Sequence, residues 1–196
     1  MFFSTTISMA LFALAASISP GPVNLVSLSA TARYGVKSGL IFVTGATLGF
    51  VLLFLIIGLG LHYFIAELPW LTQGIQWLGI GFLLYLSYQL YVDTGEIKDR
   101  TKSTEPKFFT GAIMQWLNPK AWVASMSGIS AYIPQAKTTD VFLFAGVYLP
   151  ICWLSLTIWV MGGLVLGHYF QKPNKIRTMN KVLAILLVLS CFMIIV

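Results

Sequence analysis

Charged side chains divide this chain into long apolar stretches. Met1–Ala32, Ser38–Ala66, Leu68–Val92 and Val141–Gln171 contain none. Each is longer than the roughly 20 residues a helix needs to cross a hydrocarbon core. Phe108–Ile133 is a further apolar stretch, interrupted by Lys120. The last, Thr178–Val196, has 19 residues. As a helix it is about 28 Å long, and it crosses if Lys181 reaches out to the headgroups. The strict alternation of a membrane barrel is absent. The pattern predicts an all-α integral membrane protein of six transmembrane helices. Because five further spans follow it and no basic segment precedes it, the first stretch reads as an uncleaved span rather than a signal peptide.

Composition agrees and narrows the class. Of 196 residues, 58% are apolar and 9% charged, against about 25% charged in a soluble domain. Too few charges remain to cover a water-facing surface, and two cysteines cannot staple a small secreted scaffold. The net charge of +6 comes without the basic and aromatic platform that binds nucleic acid, so the expected surroundings are the lipid bilayer.

The few charges also set the topology. Arg33 and Lys37 follow helix 1. Lys98, Arg100, Lys102 and Lys107 follow helix 3, and Lys172, Lys175, Arg177 and Lys181 lead into helix 6. With six crossings these ten share one side, and only Lys137 falls on the other. The positive-inside rule then places both termini outside the cytoplasm. The longest polar segment, Asp93–Lys107, fits a connection between two halves.

Two spans are broken. Ser19-Pro20-Gly21-Pro22-Val23-Asn24 interrupts helix 1, where two prolines remove backbone donors and a glycine adds freedom. Asn118-Pro119-Lys120 interrupts helix 4, and the proline pushes Asn118 out of helical geometry. Freed backbone groups in lipid must be buried in protein or face a water-filled cavity. Pro20 and Asn118 lie 98 positions apart, half the chain length. Two units, 1–97 and 98–196, would each open with a broken helix and continue with two unbroken ones. A three-helix unit crosses an odd number of times, so its second copy is inverted. That architecture is common in secondary transporters, whose broken helices meet at a midplane site and whose halves rock to give alternating access.

Lys120 carries the sharpest functional signal. A lysine at mid-span costs about 2.5–3.5 kcal/mol to insert, and all six acids fall in loops or at span ends. Its expected partners are backbone carbonyls, Asn24, water or an anionic ligand. Pro20, Gly21, Pro22, Asn24, Asn118, Pro119 and Lys120 are therefore the candidate substrate-binding residues. The half-helix starts would offer N–H groups to a substrate carboxylate. Tyr85, Tyr88, Trp116 and Trp122 are candidate cavity-lining side chains. Gly35, Gly39, Gly45 and Gly49, four apart in pairs, suit close helix packing. His62 and His168 read as interfacial residues. Cys152 and Cys191 read as free apolar cysteines, which disfavours a membrane thiol–disulfide electron carrier because such a carrier needs a reactive pair beside the breaks. No zinc spacing, phosphate loop or nucleophile–base set is present, so neither an enzyme nor a metal or other cofactor is expected. A non-transporting accessory membrane subunit is the structural alternative. The small size and glycine-rich faces suit a homodimer.

At the two breaks the chain resembles the LysE/RhtB family of bacterial amino-acid exporters. The resemblance runs through Ser19-Pro20-Gly21-Pro22 with Asn24, Arg33-Tyr34-Gly35, the glycines Gly39, Gly45 and Gly49, and Gly79-Ile80-Gly81-Phe82-Leu83-Leu84-Tyr85-Leu86. It continues in Phe109-Thr110-Gly111 and Leu117-Asn118-Pro119-Lys120-Ala121. It implies a bacterial cytoplasmic-membrane exporter that moves amino acids or related small metabolites outward on a proton or ion gradient. Many members of that family carry an acid just after the last helix-2 glycine, where this chain has Phe50. A coupling carboxylate on helix 2 is therefore not implied.

Overall fold

The computed structural model describes residues 2–61, 69–92, 105–133, 137–169 and 173–195, and the regular structure among them is all helical. The connection 93–104, His62, Lys172 and the side chains of His168 and Cys191 lie outside the described residues. The first apolar stretch forms two helices, α1 (Phe2–Ile18) and α2 (Pro22–Tyr34), bent by 58° at the Pro-Gly-Pro break. The second is α3 (Val36–Ile56), which runs on into a wide π-helical turn at Ile57–Leu61. α4 (Pro69–Val92) follows. The interrupted stretch is α5 (Phe108–Trp116) and α6 (Pro119–Tyr132), with α7 (Thr138–Tyr169) and α8 (Pro173–Ile195) after it. Among the described residues, Val36–Gly60 and Thr138–Gly167 are long and apolar enough to cross a membrane, and a third span results if α1 and α2 count as one bent helix.

Helices α3 and α5 touch backbone to backbone. A Cβ added at Gly45 would run into the Phe108 carbonyl oxygen, and one at Gly49 would stand 2.7 Å from the Cα and carbonyl of Ala112. From the other side, a Cβ at Gly111 would meet the Phe42 carbonyl oxygen. Small residues permit such an approach, which in lipid replaces the hydrophobic drive that water supplies elsewhere. Gly39 makes room for the side chains of Thr31 and Val160, while on α7 Gly163 lies against the Leu28 carbonyl of α2.

Gly35 departs from the packing role expected of it. Among the described residues beyond its chain neighbours, nothing lies within 4 Å of where its Cβ would be, and its φ of 92° is one that residues with side chains rarely adopt. Its N–H bonds the Thr31 carbonyl at 2.9 Å, so it turns the chain from α2 into α3. Spacing alone cannot tell a glycine kept for its φ from one kept for its size.

The interior is filled by rings from α1, α3 and α7. Phe54 and Phe144 lie 5.1 Å apart, Phe50 and Tyr148 4.5 Å apart, and Phe12 sits edge-on to Phe144 at 6.2 Å. α7 packs on α1, α2 and α3, and α4 packs on α8. The broken helices thus rest on unbroken partners, which hold both breaks in place.

Candidate functional site

The first break leaves the end of α1 with carbonyl groups that helix continuation would have satisfied, because the prolines bring no N–H. The carbonyls that Pro20 and Pro22 would have served, Ala16 and Ile18, accept from Ser19 Oγ and Trp159 Nε1 instead. Lys120 satisfies the carbonyls at the bend itself, Ser19 and Pro20. Its Nζ donates to the Ser19 carbonyl at 2.7 Å, to Ser19 Oγ at 2.9 Å and to the Pro20 carbonyl at 3.3 Å. An ammonium has three N–H bonds, so its donors are filled. Ser19 Oγ in turn donates to the Ala16 carbonyl at 3.2 Å. A cation at the carbonyl end of a helix also meets the negative end of its dipole. Gly21 makes the approach feasible, since a Cβ there would sit 3.1 Å from Lys120 Nζ. Trp159 Nε1 closes the α1 end further by donating to the Ile18 carbonyl at 3.1 Å.

At the second break Asn118 is an N-cap, with φ −94° and ψ 106°, and Pro119 takes the first helical position of α6. Asn118 Oδ1 accepts from the Lys120 amide at 3.2 Å, and its carbonyl accepts from the Ala121 amide at 2.9 Å. Its Nδ2 donates to Gln115 Oε1 at 3.2 Å. The expectation that both half-helix starts present N–H groups to a ligand is thereby corrected for α6, whose first amides Asn118 already occupies. At α2 the N-cap is Gly21, so the first-turn amides have no side-chain cap. Asn24, one turn in, donates from Nδ2 to the Ser17 carbonyl at 2.9 Å.

Lysine therefore ties the two breaks together. Beside it lies a cavity of about 30 Å³, room for roughly one water molecule. Its polar wall is Ser17, Asn24, Gln115, Asn118 and Lys120, and its apolar wall includes Val23, Phe50, Tyr148 and Leu156. Asn24, Asn118 and Lys120 converge here, and Pro20, Gly21, Pro22 and Pro119 shape the backbone around them. The other ring candidates stand elsewhere. Trp122 Nε1 donates to the Trp116 carbonyl at 2.7 Å, and Trp116 Nε1 donates to the Gly49 carbonyl at 3.1 Å. The tryptophans brace α6 against α5 and α5 against α3, outside the cavity wall. Tyr85 and Tyr88 are 56% and 65% exposed on the outer face of α4, away from the cavity.

Among the cavity residues that escaped the sequence reading are Ser17, Gln115 and Tyr148. Ser17 and Gln115 did leave a signal. Each is a polar residue three positions ahead of Pro20 or Asn118, and they lie 98 positions apart like those two. Tyr148, buried to 1% exposure, is one of many aromatics in an apolar stretch and left none. Cys152 is buried on α7 and accepts from Thr47 Oγ1 at 3.9 Å. Among the described residues no cluster of three or more His, Cys, Asp or Glu could hold a metal ion. The site is one cation with amide, hydroxyl and carbonyl groups: donors for a carboxylate, acceptors for an amine.

The model of the LysE type translocators matches residues 14–196, nearly the whole chain. The chain belongs to the LysE type translocator family. Relatives named cysteine/O-acetylserine efflux protein accompany the match. The protein of Klebsiella pneumoniae subsp. pneumoniae is 28% identical over 192 residues, covering 94% of both chains. Those of Salmonella typhimurium and Escherichia coli O6:K15:H31 are 24% identical over 189 residues, covering 90% of both. No solved structure matches. This LysE type translocator is thus a transport protein of the membrane rather than an enzyme, and the translocator match includes both breaks and every cavity residue described above.

Proposed function

We propose that this translocator exports small neutral amino acids across the bacterial cytoplasmic membrane, and that the junction of the two breaks is its binding site. One observation carries this: Lys120, the ammonium at the junction, is held by neutral oxygens beside a small polar cavity. Carbonyl acceptors are weaker partners for an ammonium than a carboxylate. A substrate carboxylate would displace Ser19 and Pro20 from Lys120, with the uncapped α2 amides as further donors. The substrate amine would bond the oxygens of Asn24 and Gln115. Among the described residues no Asp or Glu lines the cavity to match a cationic side chain, which favours neutral substrates. Cysteine and O-acetylserine, named for the relatives, are of that class.

Displacing the lysine would loosen the α1–α2 break from α6, which is the opening alternating access requires. Two inverted units, 1–97 and 98–196, would supply the rocking bodies, in a six-span topology with both termini outside the cytoplasm. The packing supports this: α1 and α2 rest on α7, α5 rests on α3, and α4 pairs with α8. Exchanging the two units carries α1–α7 onto α5–α3 and α4–α8 onto itself, as a pseudo-two-fold axis requires. Among the described residues, the α2–α3 contact has no counterpart of like extent between α6 and α7. The work of export would come from the proton or ion gradient.

Everted membrane vesicles test this. With a gradient imposed, vesicles containing the protein should accumulate labelled serine, O-acetylserine or cysteine, and control vesicles should not. Equal levels in both across a panel of neutral amino acids would overturn the assignment.

A further inference from the structure

The two walls of the cavity differ in what can move. The polar wall is joined by hydrogen bonds from Lys120 to carbonyls, which a ligand or water can replace one for one. The apolar wall is different. Phe50 is 3% exposed, and its ring lies 4.5 Å from that of Tyr148 and 6.2 Å from that of Phe54. Tyr148 is backed by Phe144 at 5.7 Å. Behind these rings α3 cannot retreat toward α5, because Gly49, next to Phe50 in sequence, already meets the Ala112 backbone. Close-packed interiors of this kind do not yield to small ligands. A substrate whose carboxylate and amine engage Lys120, Asn24 and Gln115 must direct its side chain at this fixed wall.

We infer that Phe50, backed by Tyr148, is the specificity-determining residue that limits the translocator to amino acids with short side chains. The inference rests on the binding site proposed above and adds what bounds it. The cavity leaves about 30 Å³ between the walls, so the side-chain pocket grows only as far as the polar wall opens. Truncating Phe50 would add space on the order of a benzene ring, which an apolar core cavity of that size readily accepts.

Phe54 supplies the control. It lies four residues further along α3, is fully buried among the same rings, and does not line the cavity. Phe50→Ala, Phe50→Leu, Phe54→Ala and Lys120→Ala, each quantified in the membrane, would be compared with wild type. The assay is competition by a series of neutral amino acids against labelled serine in everted vesicles. Wild type should be inhibited by alanine and serine but weakly by leucine and phenylalanine. Phe50→Ala should raise inhibition by the larger pair about tenfold or more, the range that pocket-size discrimination spans. Phe50→Leu should give an intermediate gain, and Phe54→Ala none. Gained substrates cannot arise from misfolding. An unchanged profile in both Phe50 variants, or an equal gain in Phe54→Ala, overturns the filter. If wild type and Lys120→Ala transport alike, the site itself is wrong, a separate result from failure of the filter alone.

Discussion

Gly45→Ala should damage this protein far more than Gly81→Ala, although both put one methyl group on an apolar helix. At Gly45 the new Cβ collides with the Phe108 carbonyl oxygen, and the nearest atoms are all backbone. No rotamer change relieves that clash, so α3 and α5 must separate. Overpacking of this sort costs up to about 3 kcal/mol. The better helix propensity of Ala returns about 1 kcal/mol, leaving about 2 kcal/mol of loss. At Gly81 nothing among the described residues lies within 4 Å of the added atom, so only the propensity gain applies. For a chain of this length 1 kcal/mol moves the midpoint by about 2–4 °C. Gly45→Ala should therefore melt about 4–8 °C lower and Gly81→Ala at or slightly above wild type. Thermal unfolding of the detergent-solubilised protein, followed by near-UV circular dichroism, measures this. Gly111→Ala, which strikes the Phe42 carbonyl across the same interface, adds a second check. Because both clashes are relieved by one separation, the double variant should lose less than the sum of the singles. Equal midpoints for Gly45→Ala and Gly81→Ala would refute the backbone contact between α3 and α5.

Asn118→Ala removes the cap on the Lys120 amide and should cost about 1 kcal/mol in the same unfolding assay, with Asn118→Asp retaining most of it. Gly35→Ala forces a side chain onto a φ of 92°, and strain of about 1–3 kcal/mol should lower the midpoint despite open space around it. In a background with Cys152 and Cys191 replaced by Ser, a cysteine at Ser4 should react with an impermeant maleimide on intact cells. One at Thr94 should react only in everted vesicles, and the reverse pattern would invert the topology.

How much of this was legible follows from what each residue does locally. Pro20, Pro22 and Pro119 announce their breaks because a missing N–H in an apolar stretch has a fixed consequence wherever it falls. Lys120 stood out because no acid shares its predicted depth, and backbone carbonyls were among the partners expected, though the Ser19 hydroxyl was not. Which carbonyls they are depends on how two segments about 100 residues apart cross, and periodicity carries no such information. The same limit explains Tyr148, Tyr85 and Tyr88: aromatic identity is visible in sequence, but the face that meets a cavity is not. At Gly45 and Gly49 the α3 backbone meets that of α5. Gly35 turns a corner instead, since a glycine's reason lies in its φ and its neighbours.

The proposed function depends on Lys120 joining the two breaks at the proposed binding site. The most direct measurement is serine export by reconstituted wild type, Lys120→Ala and Lys120→Arg at matched protein levels and verified insertion. Lys120→Ala should abolish export. Lys120→Arg should keep part of it, because the charge stays but the fork of the guanidinium misfits the acceptors at Ser19 and Pro20. Export by Lys120→Ala at the wild-type rate would contradict the account.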